Sequence, residues 1–131
     1  LPTPSPGPEL SSAFLTESIA QLALKKKAEG IVALQVKTLT NITDYFIICS
    51  ADTEIQVKAI CDTLREELSI KPWRTEGYEH LRWVLLDYVD VVVHIFRTTE
   101  RHYYNLESLW ADAPRREFMD EPESIPNPGP S

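Results

Sequence analysis

The spacing of hydrophobic positions along this chain changes several times, and each change marks an element. Ser11 or Ser12 is placed to cap a helix running to about Glu29, with Gly30 as its stop. Leu15, Ile19, Leu22 and the aliphatic stem of Lys26 line one face of it. Residues 31–37 alternate, which sends Val32, Leu34 and Val36 to one side. Residues 45–50 (Y-F-I-I-C-S) are almost continuously apolar, as in a central strand buried on both faces. Thr53 and Gln56 have capping-box spacing and open a helix with the stripe Ile55, Ala59, Ile60, Leu64 and Leu68. Pro72 limits residues 70–76 to a short edge strand. Strands at 83–88 and 91–96 make a hairpin, and Thr98 or Thr99 caps a last helix ending near Trp110. The order αββαβββα predicts an α/β fold, a mixed sheet of about five strands with helices packed on its faces.

The hairpin is where the pattern says most. Pairing residue 88 with 91 makes every pair of partners sum to 179. Val84, Leu86, Val93 and Ile95 then share one face. On the other face Trp83 opposes Phe96, Leu85 opposes His94, and Asp87 opposes Val92. A one-residue slip would mix the two sets, so an even loop is expected. The second face is an aromatic group that either a helix covers or a partner binds. Aromatic cross-strand pairs stabilise a sheet by about 0.2–1 kcal/mol each, so pattern alone leaves both readings open. On the last helix Tyr103, Leu106 and Trp110 are expected to face the sheet. Tyr104 should be half exposed with its hydroxyl available.

Composition sets the boundaries. Of the ten prolines in 131 residues, four fall in 1–10 and five in 113–131. Both ends are therefore expected to be disordered tails around one domain at 11–112. A body of that size hides somewhat over ~60% of its unfolded surface. Cys49 and Cys61 match no zinc or redox spacing and are expected to be buried thiols of a cytoplasmic protein. With no apolar run near membrane-spanning length and no signal-peptide core, no membrane association is expected.

Charge narrows the partners. The formal net charge is −7, and residues 11–112 hold 11 basic and 15 acidic residues. Phosphate neutralisation needs a basic footprint, so little direct nucleic-acid contact is expected. The one basic run, Lys25-Lys26-Lys27, ends a helix, where cations complement the dipole. An acidic body suits a basic protein partner. Asp87, Asp90 and His94 invite a catalytic reading, yet no nucleophile sits at a fixed motif. They make no better metal site, because no second histidine stands at ligand spacing.

The segments D-Y-F-I-I-C-S (44–50), W-V-L-L-D-Y-x-D-V-V-V-H-I-F (83–96) and R-x-x-Y-x-L-E-x-L-W (101–110) also carry a resemblance. Over roughly residues 13–112 the chain resembles the ribosomal silencing factor family, also called Iojap-like. The resemblance implies nucleotidyltransferase-like topology without transferase activity, cofactor or metal. It implies a translational repressor that binds the large ribosomal subunit through ribosomal protein L-fourteen and blocks subunit joining. The implied contact surface is Trp83, Tyr88, Asp90, His94 and Phe96, with Arg101, Tyr104 and Glu107. A nucleotidyltransferase-like enzyme and a homodimeric scaffold pairing through the same aromatic face are the rival readings. The chain departs from the family at Val89 and Ala51, where glycine is usual. Val89 disfavours a positive-φ turn, which predicts a wider turn.

Overall fold

A computed structural model describes residues 11–119; the tail expected at 1–10, and all of the other beyond 119, lie outside these. The hydroxyl of Ser11 accepts the Phe14 N–H at 3.0 Å and caps α1 (Ser12–Lys25). The helix stops short of Glu29. Lys27 takes a left-handed φ of 65°, its N–H bonds the Leu24 carbonyl, and the Ala28 N–H bonds that of Ala23. This is a Schellman closure with lysine where glycine is usual. Gly30 lies instead in β1 (Glu29–Gln35), at a break in the register with β2 (Tyr45–Ala51).

The hydroxyl of Thr53 accepts the Gln56 N–H at 3.1 Å at the start of α2 (Glu54–Glu67). The Gln56 side chain donates to the Lys26 carbonyl instead of completing a capping box, so α2 is tied to the end of α1. The buried stripe of α2 is Val57, Ile60, Cys61 and Leu64, and Ile55 is 82% exposed. Val57 is two positions after Ile55, which is about 200° round the helix. The expected stripe was therefore rotated at its N-terminal end.

Three strands follow: β3 (Arg74–Glu76), β4 (Trp83–Asp87) and β5 (Val91–Arg97). The single last helix expected is two short ones, α3 (Thr98–Tyr104) and α4 (Leu106–Leu109), broken by Asn105 at φ 46° and ψ 50°. Neither Thr98 nor Thr99 is the cap; Arg97 holds that position without a side-chain bond. Residues 113–118 are not a tail either. Arg115–Phe118 form β6, antiparallel to β1, so ordered packing continues beyond 112.

Among the described residues six strands make one sheet in the order β3-β4-β5-β2-β1-β6. β2 and β5 are parallel; the crossover through α2 carries the chain from β2 to the edge strand β3, from which β4 and β5 return, and the other pairs are antiparallel. The helices α1 and α2 cover one face over Ile47, Cys49, Val84, Leu86, Val93 and Ile95. The opposite face holds Val32, Leu34, Val36, Phe46, Ile48, Val92 and Phe96, under Leu106 and Trp110. Cys49 and Cys61 are buried and free, and burial pushes both thiols up to about 12.

The hairpin has the even register that the aliphatic sorting required, with Trp83 opposite Phe96 and Leu85 opposite His94. Its turn is not wider. The Tyr88 N–H bonds the Val91 carbonyl at 2.9 Å, leaving a two-residue loop, and Val89 accepts a φ of 75°. Three tethers impose that geometry. Asp87 Oδ1 accepts the Val89 N–H at 2.8 Å, and the Asp90 N–H closes on the Tyr88 carbonyl at 2.9 Å. The Asp90 carbonyl in turn accepts the N–H groups of Asp44 and Tyr45 at 3.0 and 3.2 Å. A β-branched residue is strained there, by about 1–2 kcal/mol. Val89 is exposed and gives up little burial on replacement. Val89→Gly should therefore raise unfolding stability by about 1 kcal/mol in urea titration, after the entropy of the added glycine is subtracted. A loss of stability would show that the valine is not strained.

Candidate partner-binding face

Pairing across the sheet sets four residues in one row: Glu29 opposite Ser50, Ser50 beside Phe96, Phe96 opposite Trp83. Strands lie roughly 5 Å apart, so Trp83 is roughly 10 Å from Ser50. The helix α3 roofs this row. The Tyr104 ring lies 4.9 Å from that of Trp83, and Trp83 stacks on Phe96 at 4.8 Å. Further along the face Phe46 packs edge-on against His94 at 5.1 Å and against Trp110 at 5.2 Å. The helix covering of this face is therefore partial. Phe96 and His94 are covered, whereas Trp83 is half-buried and Tyr104 is 50% exposed.

Trp83 has its one polar group turned inward. Its indole N–H donates to Nδ1 of His94 at 3.1 Å. His94 is only 5% exposed, and burial pushes its imidazole down to about 4, so the ring is neutral. With Nδ1 accepting, the proton sits on Nε2, which is buried without a hydrogen-bond partner. The surface that Trp83 turns outward is consequently all carbon. Such a ring beside a tyrosine hydroxyl is the amphipathic combination favoured at protein interfaces.

Arg101 and Glu107 do not form a solvated face. Arg101 Nε donates to Glu107 Oε2 at 2.8 Å, with side-chain exposures of 15% and 20%. Arg115 Nη1 meets the other oxygen, Oε1, at 2.8 Å. Burial alone would raise the Glu107 carboxyl, but the two guanidiniums outweigh it and hold it below the usual carboxylate range. Arg101 Nη1 also reaches Ser50 Oγ at 3.1 Å and the Glu29 carbonyl at 3.3 Å.

The structure sorts the eight expected contact residues into three groups. Trp83 and Tyr104 meet at the surface, and Asp90 is exposed at the far end of the hairpin. His94 and Phe96 lie beneath, and Arg101 and Glu107 face inward to each other. Tyr88 is on the opposite face, packed into the core under α1 and α2 with its hydroxyl unpartnered, and desolvation pushes its phenol up. Strand parity explains this, since Tyr88 alternates with Val84 and Leu86. Tyr103 is 81% exposed instead of facing the sheet, because the break at Asn105 takes Leu106 and Trp110 out of phase with it. Phe46, which completes the aromatic group, was missed; its place opposite Leu34 and beside Val92 was readable only once β2 was known to pair with β5.

The catalytic reading finds no support in this geometry. His94 is engaged by Trp83, while Asp87 is bound to the Val89 N–H and lies 3.6 Å from Arg74. Asp90 lies beyond the strand ends. Among the described residues no three His, Cys, Asp or Glu side chains are grouped to hold a metal ion, and no helix is long and apolar enough to cross a membrane.

These features define a class: a small mixed-sheet α/β domain, helix-packed on one face and roofed on the other by a broken helix carrying aromatic side chains. The family described as "ribosomal silencing factor during starvation" matches residues 9–129. Ribosomal silencing factor RsfS of Halalkalibacterium halodurans is 49% identical, covering 78% of this chain and 93% of that protein. Its counterpart in Bacillus subtilis is 46% identical over 68% and 78% of the two chains. A crystal structure from Bacillus halodurans superposes with a TM-score of 0.70 at 44% identity, covering 82% of this chain and all of the other. The chain belongs to the ribosomal silencing factor family.

The burial of His94 makes stability depend on pH. His94 takes up a proton near pH 6.5 when unfolded and near 4 when folded. Its contribution is complete above pH 6.5 and is lost as pH falls from 6.5 towards 4, by up to about 3 kcal/mol. Urea unfolding at pH 7.5, 5.5 and 4.5 should show this decline, and His94→Gln should flatten it. Equal slopes in the two proteins would remove His94 as the cause.

Proposed function

We propose that this protein is a translational repressor that acts on the ribosome by occlusion, with no chemical step of its own. In this reading it binds the large ribosomal subunit in the cytoplasm through ribosomal protein L-fourteen and blocks joining of the small subunit. Family membership supports the ribosomal setting. The observation that carries the docking face is the Trp83–Tyr104 pair, open at the surface with the indole N–H satisfied inside. The net charge of −7 favours a basic protein as the immediate partner. Trp83, Tyr104 and Asp90 are the direct contacts in this proposal. Trp83 and Asp90 are seven residues apart along the hairpin, roughly 20 Å. A typical interface of about 800 Å² per partner spans that distance. His94 and Phe96 support the pair from below.

The test is co-sedimentation with purified large subunits, with and without excess small subunits. The protein should pellet with large subunits and reduce their pairing with small ones. Trp83→Ala should weaken binding about 30-fold, equivalent to about 2 kcal/mol, as for a central aromatic anchor. Unchanged binding by Trp83→Ala would move the contact elsewhere, and undiminished subunit joining would remove occlusion. Self-pairing through the same face is the rival, and concentration-dependent light scattering without co-sedimentation would establish it instead.

A further inference from the structure

The helices α3 and α4 have seven and four residues, and neither contributes a buried residue to the core. Helices this short do not hold together by backbone bonding alone. What places them is a set of tethers. At the start Thr98 Oγ1 donates to Asp52 Oδ1 at 2.8 Å, and at the end Leu106 and Trp110 rest on the second face. Between these, Arg101 spans three elements, bonding Glu107 after the helix break, Ser50 on β2 and the Glu29 carbonyl on β1. The break itself lies at Asn105, whose N–H closes the helix on the backbone carbonyl of Arg101 at 2.9 Å.

Arg101 and Tyr104 are three residues apart, so both point to the same side of α3. Arg101 lands at the Ser50 end of the cross-sheet row and Tyr104 at its Trp83 end, with Phe96 enclosed between them. Gly30 is shaped to this arrangement. It holds a φ of 56°, and a Cβ there would lie 2.7 Å from Arg101 Nη1. From this we infer that Arg101 is a positioning residue for the docking face: its guanidinium fixes α3 across the row and thereby sets Tyr104 on Trp83, without touching the partner. This inference rests on the proposed docking reading for its binding consequence, but the placement of Tyr104 is a property of the free protein. Arginine suits the role because its planar guanidinium fork aims donors on two separate nitrogens, Nε and Nη1, at acceptors on different elements, whereas a lysine's three donors share one nitrogen.

Two measurements separate the inference from the reading beneath it. In the free full-length chain, near-ultraviolet circular dichroism reports the Trp83–Tyr104 contact. Arg101→Met and Arg101→Lys should each lower that signal to the level of Tyr104→Ala while far-ultraviolet spectra stay native. A signal retained in Arg101→Lys overturns the fork clamp, and this milder variant carries the test if Arg101→Met fails to fold. In co-sedimentation with large subunits, Arg101→Lys and Tyr104→Ala should each weaken binding about 10-fold, and the double variant no further than either alone. Losses that multiply would make Arg101 a direct contact and overturn the inference. If the unaltered protein does not co-sediment, the docking reading fails, while the spectroscopic comparison still decides whether Arg101 places Tyr104.

Discussion

Strand β5 is hydrogen-bonded on both sides, antiparallel to β4 and parallel to β2, and its residues from Val91 to Phe96 are buried on both faces. Everything distinctive about the molecule depends on which β5 side chain meets which neighbour. In the observed register Val91, Val93 and Ile95 enter the core under α1 and α2, while Val92, His94 and Phe96 meet Phe46, Leu85 and Trp83. A slip of one residue would put a histidine into the aliphatic core and remove the stack beneath Trp83. The aromatic face is thus a consequence of core sorting and needs no separate specification.

The two faces are closed by different forces. On the core face, amphipathic helices of fourteen residues bury aliphatic side chains, and area removed from water dominates. The other face has a short, broken roof, held by directed polar contacts from Thr98, Arg101 and Glu107. Exposed ion pairs stabilise little, typically below about 1 kcal/mol, and half-buried ones offset much of their gain by desolvation. The Arg101–Glu107–Arg115 group therefore acts mainly through geometry: it selects one placement of α3 and α4 and adds modestly to total stability.

Legibility in the sequence follows the range of the cause. The hairpin register was readable because its two strands are adjacent and only one parity separates aliphatic from aromatic residues. The central strand was readable from its unbroken apolar run. Helix ends were misread at left-handed residues: at Lys27 backbone geometry overrides residue preference, and at Asn105 a residue suited to that conformation interrupts the last helix. The strand β6 was missed because R-R-E-F buries only Phe118 and sits beside prolines. The inward turn of Arg101 was invisible for another reason: Ser50 and Glu29 are 51 and 72 residues away in sequence. No local pattern encodes that contact. Phe96 and His94 could be assigned to the right face from parity, but their covering needed the path of α3.

Trp83 and Tyr104 arrive at the surface from different elements, yet each is fixed from behind. The chain enters β4 through a loop in which Gly77 has φ 83° and Leu81 has φ 59°. A Cβ on Gly77 would collide with the Trp83 carbonyl, so the loop and strand backbones are in direct contact. The Arg82 carbonyl is held by the Arg97 N–H at 2.9 Å, and the indole by His94. Tyr104 sits one residue before a left-handed break and one turn beyond Arg101. Ordering a free side chain on binding costs about 0.5–1.5 kcal/mol. Here much of that cost is met during folding, by strained backbone at Leu81 and by the unpartnered Nε2 of His94. A surface serving only to close the core would gain nothing from such strain, since any apolar cover over Phe96 would do. In the proposed docking reading, that constraint behind the two rings is what lowers the ordering cost of binding.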